Sequence, residues 1–221
     1  MTKSEKSMIN KGYDHVISLG SFCMTAYHIR RRFPQSKAYP FDWWVTPTVA
    51  LQDLFETQFS EIFMPQNMKI VKESGNEAVM CQRYGLMHYH DFYEAKVDDR
   101  YVPVAIRTKC ADNISKYAHL LKRLYSLTGD VLFIRVESGY VQHFNNNRDF
   151  DKERLDKFFE VLQGFFPKCS INLLLLNSLS NSDIPEIFCD RLDHYGETTW
   201  QGSVQGWDEM FDRTGITMKL A

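Results

Sequence analysis

Long apolar runs are missing from this sequence. A helix needs roughly 20 consecutive apolar residues to cross a bilayer, and the greasiest stretch, Ile171 to Leu176, is broken by Asn172 and ends at Asn177. That stretch reads as a buried strand, and no membrane association is expected. Cysteine is sparse: Cys23, Cys81, Cys110, Cys169 and Cys189 make an odd count without any C-x-x-C spacing, which argues against a disulfide framework and a zinc knuckle. A positive surplus is absent too. The 26 Lys plus Arg stand against 28 Asp plus Glu, giving a net charge of -2 and a pI near 6.4. The basic excess that drives sequence-independent phosphate binding is lacking, so nucleic acid is not an expected partner. Residues 1–12 are polar and carry no apolar leader core, from which a flexible tail and a cytoplasmic location are expected.

What is present is the composition of a globular chain: 44% hydrophobic, 14% aromatic and 24% charged over 221 residues, enough for one domain spanning 1–221. The run from Asp14 to Gly20 is a short apolar segment closed by glycine. Phe22, Ala26, Ile29 and Phe33 then recur at helical spacing, with Arg30, Arg31 and Arg32 in the last turn and Pro34 as the stop. After the aromatic loop Tyr39–Trp44, Thr46-Pro47 predicts a helix start, with Leu51, Leu54, Phe55, Phe59, Ile62 and Phe63 on one face and Pro65 at its end. Residues 69–93 change to short β-rich stretches around Ser74-Gly75-Asn76 and Tyr84-Gly85, the mark of a small antiparallel insertion. Asp112 reads as the cap of a third helix. Val131 to Val136 reads as a strand, Asn145 to Asn147 as a loop, residues 151–166 as a fourth helix and Ile171 to Leu176 as a strand. Asp183-Ile184-Pro185 reads as the opening of a fifth helix carrying Ile187, Phe188 and Leu192.

Continuous apolar strands separated by amphipathic helices predict an α/β fold, with a mostly parallel sheet covered by helices on both faces. Ligands of such sheets bind beyond the carboxyl ends of the strands. The residues expected there are Gly20, Ser21 and Cys23 after the first strand, Arg135, Glu137 and Ser138 after the middle one, and Asn177 and Ser178 after the later one.

Cys23 stands out among them. If Gly20 or Ser21 caps the helix, Cys23 lies in its first turn, where free N–H groups and the positive dipole end favour a thiolate and lower the thiol pKa. A small residue packing the strand-to-helix turn is the plainer alternative. A thiolate wants an imidazole to take its proton, and His88-Tyr89-His90-Asp91 is the best cluster. In an extended chain His88 and His90 share a face, but no third ligand stands at metal-binding spacing, so a base is preferred to a metal site and no cofactor is expected. His15, His28, His119, His143 and His194 occur singly and read as solvated. Asp91, Asn177 and Glu137 are all candidates to orient an imidazole. Arg135, inside an apolar strand, must pair with an acid or a substrate anion; Asp42 and Glu137 are the internal candidates. The loop holding Asp42, Trp43 and Trp44 lines a substrate site or packs as a lid, and Trp200 and Trp207 form a late aromatic segment.

The string Ser18-Leu-Gly-Ser-Phe-Cys23 with Ala26 and Arg30, then Pro40-Phe-Asp-Trp43, then His90-Asp91-Phe92, resembles a bacterial family of formerly unknown function named putative papain-like cysteine peptidases. The resemblance implies a thiol peptidase or related acyl hydrolase, with Cys23 as nucleophile and His90 as base; across all the readings the expected partner is a peptide or a small acyl or sugar substrate. The chain departs from papain itself in placing its cysteine after a parallel strand. Two other readings compete. One is a serine ester hydrolase with a flavodoxin-like sheet, using Ser21 with Asn177 as oxyanion donor, although Asp190 and His194 are one residue too far apart for its Asp-x-x-His block; a sugar transferase gripping an anionic donor with Arg135 is related to it. The other is a non-catalytic α/β binding module in which Cys23 only packs.

Overall fold

The computed structural model describes residues 9–73, 76–137, 149–195 and 199–220. In chain order its elements are β1 (Gly12–Tyr13), β2 (His15–Ser18), α1 (Cys23–Arg32), a 3-10 turn (Pro40–Trp43), α2 (Thr48–Glu56), β3 (Met68–Glu73), β4 (Asn76–Cys81), β5 (Leu86–His88), β6 (Lys96–Val97), β7 (Arg100–Tyr101), α3 (Pro103–Tyr125), β8 (Gly129–Val136), α4 (Lys152–Phe165), β9 (Cys169–Leu176), β10 (Ile187–Asp190), α5 (Val204–Thr214) and β11 (Thr217–Met218). The two apolar octets β8 and β9 pair in parallel along their whole length, β2 joins β8 and β10 joins β9, giving the order β10-β9-β8-β2. The architecture is therefore mixed α/β around one parallel four-stranded sheet.

Strand residues alternate between two apolar clusters, as a period of two requires. Ile17, Val131, Phe133, Ile171, Leu173 and Leu175 pack with Leu54 and Phe55 of α2, Tyr117 and Leu124 of α3, and Phe158 and Leu162 of α4. Val16, Leu132, Ile134, Leu174 and Leu176 pack with Met24 and Ile29 of α1 and Trp207, Met210 and Phe211 of α5. Asn172, the polar break in β9, accepts the Tyr13 hydroxyl at 2.9 Å. The expected insertion is the antiparallel sheet β3-β4-β5; its first turn, Ser74-Gly75, lies outside the described residues.

Several boundaries differ from the sequence reading. The second helix starts after Pro47 and stops at Glu56, because Gln58 and Phe59 take left-handed conformations (φ 51° and 61°), so Ile62 and Phe63 pack from a turn. The third begins at Pro103, and Asp112 lies mid-helix; its buried stripe is Ile106, Cys110, Asn113, Tyr117, Leu120 and Leu124, while Ile114 is exposed. The segment opened by Asp183-Ile184-Pro185 carries no helix: Ile187 to Asp190 form strand β10, including Cys189, and the fifth helix is α5, capped by Ser203 and closed by Gly215 at φ 64°. Of the expected tail, residues 1–8 lie outside the description, whereas Ile9 and Asn10 donate to the Thr214 carbonyl and Gly12 pairs with Thr217. The Asn145 to Asn147 loop is also outside the described residues.

Candidate functional site

The turn from β2 into α1 is held from several sides. Gly20 and Ser21 have positive φ values of 75° and 66°, and a Cβ on Gly20 would lie 2.7 Å from the Thr46 hydroxyl oxygen, so only glycine fits. The Gly20 N–H donates to Ser18 Oγ at 3.0 Å, the Ser21 hydroxyl donates to the Val136 carbonyl, and Arg135 Nη1 donates to the Leu19 carbonyl at 3.0 Å. The cap of α1 is Phe22, neither Gly20 nor Ser21, and Cys23 is the first helical residue, half-buried. Burial pushes the Cys23 thiol up and outweighs the N–H groups of Cys23 and Met24, which pull it down. The expected lowering of its pKa is thereby corrected: the dipole end is present, but desolvation of the sulfur is the larger effect. Ser21 is buried with its hydroxyl committed, which removes the presented serine that the ester-hydrolase reading needs.

The other two sequence blocks meet this helix. Arg30, two turns beyond Cys23, pairs with Asp42 and lies over the Trp43 ring at 5.5 Å. Trp43 in turn meets the exposed His90 ring edge-on, with centroids 5.2 Å apart. Asp42 also accepts the Tyr39 N–H at 3.1 Å, and burial raises its pKa to about 6 against the pull of Arg30. Trp44 points the other way, fully buried, and donates its indole N–H to Asp91 Oδ2 at 3.1 Å.

Asp91 is a hub. His88 Nδ1 lies 3.0 Å from its Oδ2, Tyr117 and Lys116 donate to its Oδ1 at 2.9 and 3.1 Å, and Asn113 donates to its carbonyl at 3.1 Å. Burial works to raise the Asp91 pKa, but the bonds and charges of His88, Lys116 and Tyr117 hold it below the usual carboxylate value. One expectation changes here. His88 and His90 do not share a face, because β5 ends at His88 and the chain then turns, leaving His88 fully buried and His90 in the open. Asp91 orients His88, whose Nε2 is buried without a partner. Sequence reasoning missed Asn113, Lys116 and Tyr117, although their spacing along one helix was visible. Behind Trp44 and Tyr117, an apolar cleft of about 180 Å³ is lined also by Phe59, Phe63, Met64 and Ile114.

At the remaining strand ends the groups are engaged internally. Arg135 is fully buried, and its Nη2 donates to the Thr46 carbonyl at 3.0 Å and to Thr48 Oγ1 at 2.7 Å. Its Nε is unpartnered, with Glu137 Oε1 4.0 Å away, and burial lowers its pKa to about 10. It therefore ties loops together and presents no fork to a substrate anion, and its acidic neighbour is Glu137. Glu137 is buried, accepts the Ser178 hydroxyl at 2.9 Å, and has its pKa raised by burial. Asn177 uses its amide on Leu192, accepting that N–H at 2.8 Å, and its Nδ2 lies 3.3 Å from His194 Nε2. Among the single histidines, His28 is fully buried against Trp207 and not solvated; His143, like Ser138, lies outside the described residues. Among the described residues, no group of three or more His, Cys, Asp or Glu side chains is placed to hold a metal ion, and no helix is long and apolar enough to cross a membrane.

The sequence model of a family described as "putative papain-like cysteine peptidase" matches residues 14–142, which hold Cys23, Asp42, Trp43, His90 and Asp91. No curated protein and no solved structure matches the chain.

Proposed function

From the premise that this chain belongs to the putative papain-like cysteine peptidase family, we propose that it is a thiol hydrolase cleaving peptide or related acyl substrates, with Cys23 as nucleophile and His90 as general base. The observation that carries this reading is the convergence of three short, distant blocks: the helix begun by Cys23 reaches Asp42 and Trp43 through Arg30, and Trp43 reaches His90.

The resting thiol is protonated, since burial raises its pKa, so His90 takes the proton as sulfur attacks the acyl carbon. The developing oxyanion falls at the start of α1, where N–H groups without intrahelical partners stabilise it. The imidazolium then protonates the leaving amine, and water hydrolyses the thioester with the same base. Trp43 and Asp42 hold the approach to His90. Asn177, engaged with Leu192 and His194, enters only as a residue that holds the loop after β10.

The test is hydrolysis of a panel of peptide amides and activated esters, with acyl-enzyme trapping by mass spectrometry. Cys23→Ala is expected to abolish turnover and the acyl adduct while keeping the wild-type melting temperature, and His90→Gln to lower kcat by roughly 100-fold or more. Full activity in Cys23→Ala, or a wild type inactive across the panel and unlabelled at Cys23, would sink the proposal; the second outcome favours a binding module.

A further inference from the structure

Cys23 and Tyr27 stand four residues apart on α1, so their side chains lie on one face, roughly 6 Å apart along the axis. Both are half-buried. Against Tyr27, edge-on at 5.5 Å between ring centroids, stands Trp200, and 56% of Trp200 is exposed. A large apolar ring left open to water against Tyr27, on the helix face that also carries Cys23, is an uncovered apolar surface, and the turn that bears it is anchored to α1.

The segment from Thr199 to Ser203 is fastened to the first two turns of α1. His28 Nε2 lies 2.7 Å from the Gln201 carbonyl oxygen, and the His28 ring stacks on Trp207 of α5 with centroids 4.9 Å apart. Gly202, at φ 67°, lies so close to α1 that a Cβ there would run into Met24 Sδ. Ser203 Oγ accepts the Gly206 N–H at 3.0 Å and starts α5. The turn thus spends a glycine on close approach, anchors Gln201 by its backbone, and leaves Trp200 outward beside Tyr27. The neighbouring cations are engaged elsewhere, Arg30 with Asp42 and Arg31 with Asp208 at 2.6 Å. An anionic group on the substrate therefore finds both guanidinium groups already paired, whereas a flat apolar group finds two rings.

We propose that Tyr27 and Trp200 form a shelf that receives a large apolar, preferably aromatic, side chain of the acyl substrate and so sets specificity at Cys23. The assignment of a substrate class rests on the thiol-hydrolase reading; the shelf itself does not. An aromatic contact of this kind is worth about three- to tenfold in relative rate.

The experiment compares alkylation of Cys23 by iodoacetanilide and by iodoacetamide at pH 9.5 on the full chain, followed by peptide-resolved mass spectrometry. Both reagents meet the same thiolate fraction, so their rate ratio reports the surroundings of the sulfur and is independent of its pKa. Relative to free cysteine, the ratio is expected to be about three- to tenfold higher in the wild type, to fall to the free-cysteine value in Trp200→Ala, and to be kept in Trp200→Phe. Wild-type melting behaviour in the two variants excludes unfolding as the cause. A ratio unchanged by Trp200→Ala overturns the shelf, even where Cys23→Ala abolishes hydrolysis. A ratio lost in Trp200→Ala supports it, even where no member of the peptide panel is cleaved.

Discussion

Asp42 and Asp91 are both buried carboxylates, and their contrasting titration follows from the number of donors each meets. Asp91 receives the Trp44 indole, the Tyr117 hydroxyl and Lys116, with His88 alongside, and its pKa falls. Asp42 has Arg30 and the Tyr39 N–H, which do not offset burial, and its pKa rises to about 6. A carboxyl that binds its proton more tightly when folded adds stability below the unfolded pKa of about 4, and that contribution is lost as pH climbs through about 6. Urea unfolding between pH 4 and 7.5 should therefore show the stability of the wild type falling relative to that of Asp42→Asn by roughly 2 to 3 kcal/mol across the range. Equal slopes in the two proteins would refute the assignment. The position of Cys23 was legible in the sequence, since an apolar run ending in glycine before a helical pattern leaves few alternatives. Its titration was not, because the desolvation of a sulfur is set by residues packed around it from distant parts of the chain. The parity of His88 and His90 misled for a related reason: alternation holds only while the strand lasts, and β5 ends at the first of them.

Ser203 shows an element boundary written in plain chemistry. Its hydroxyl accepts the Gly206 N–H, and Gly215 ends the same helix in the left-handed region. Ser203→Ala should cost about 1 kcal/mol in urea unfolding. Gly202→Ala should cost more, since it meets both an unfavourable φ and the Met24 side chain; a variant as stable as the wild type would contradict the close approach described here. The signals for α5 were available as Trp207, Met210, Phe211 and Thr214 at helical spacing between a serine and a glycine. Asp183-Ile184-Pro185 drew the helix assignment away because a cap followed by proline is a strong local cue. The four residues of β10 are too few for a period of two to compete with it. The first nine residues of α3 were hidden by Arg107 and Lys109, charges on a stretch whose buried side chains are only Ile106 and Cys110. The octets β8 and β9, buried along most of their length, were the easiest elements to read.

Across the whole molecule, Arg135 joins parts that are remote in sequence: from β8 it holds Leu19 before the Cys23 turn and Thr46 and Thr48 at the start of α2. Replacing it by Met would strand two buried carbonyl groups and leave Glu137 without its cation, an expected loss of roughly 3 to 5 kcal/mol in urea unfolding. A loss below 1 kcal/mol would mean that water replaces the guanidinium at these sites. The pairing of β1 with β11 has an equally long reach, for Gly12 finds its neighbour in Thr217 and the Ile9 and Asn10 amides find theirs in Thr214. On a ribosome adding about 10 residues per second, the opening strand waits some 20 seconds for its mate to be synthesised. Throughout that interval a nascent chain exposes an unmatched edge that chaperones can grip, and the seam closes only once β11 has emerged.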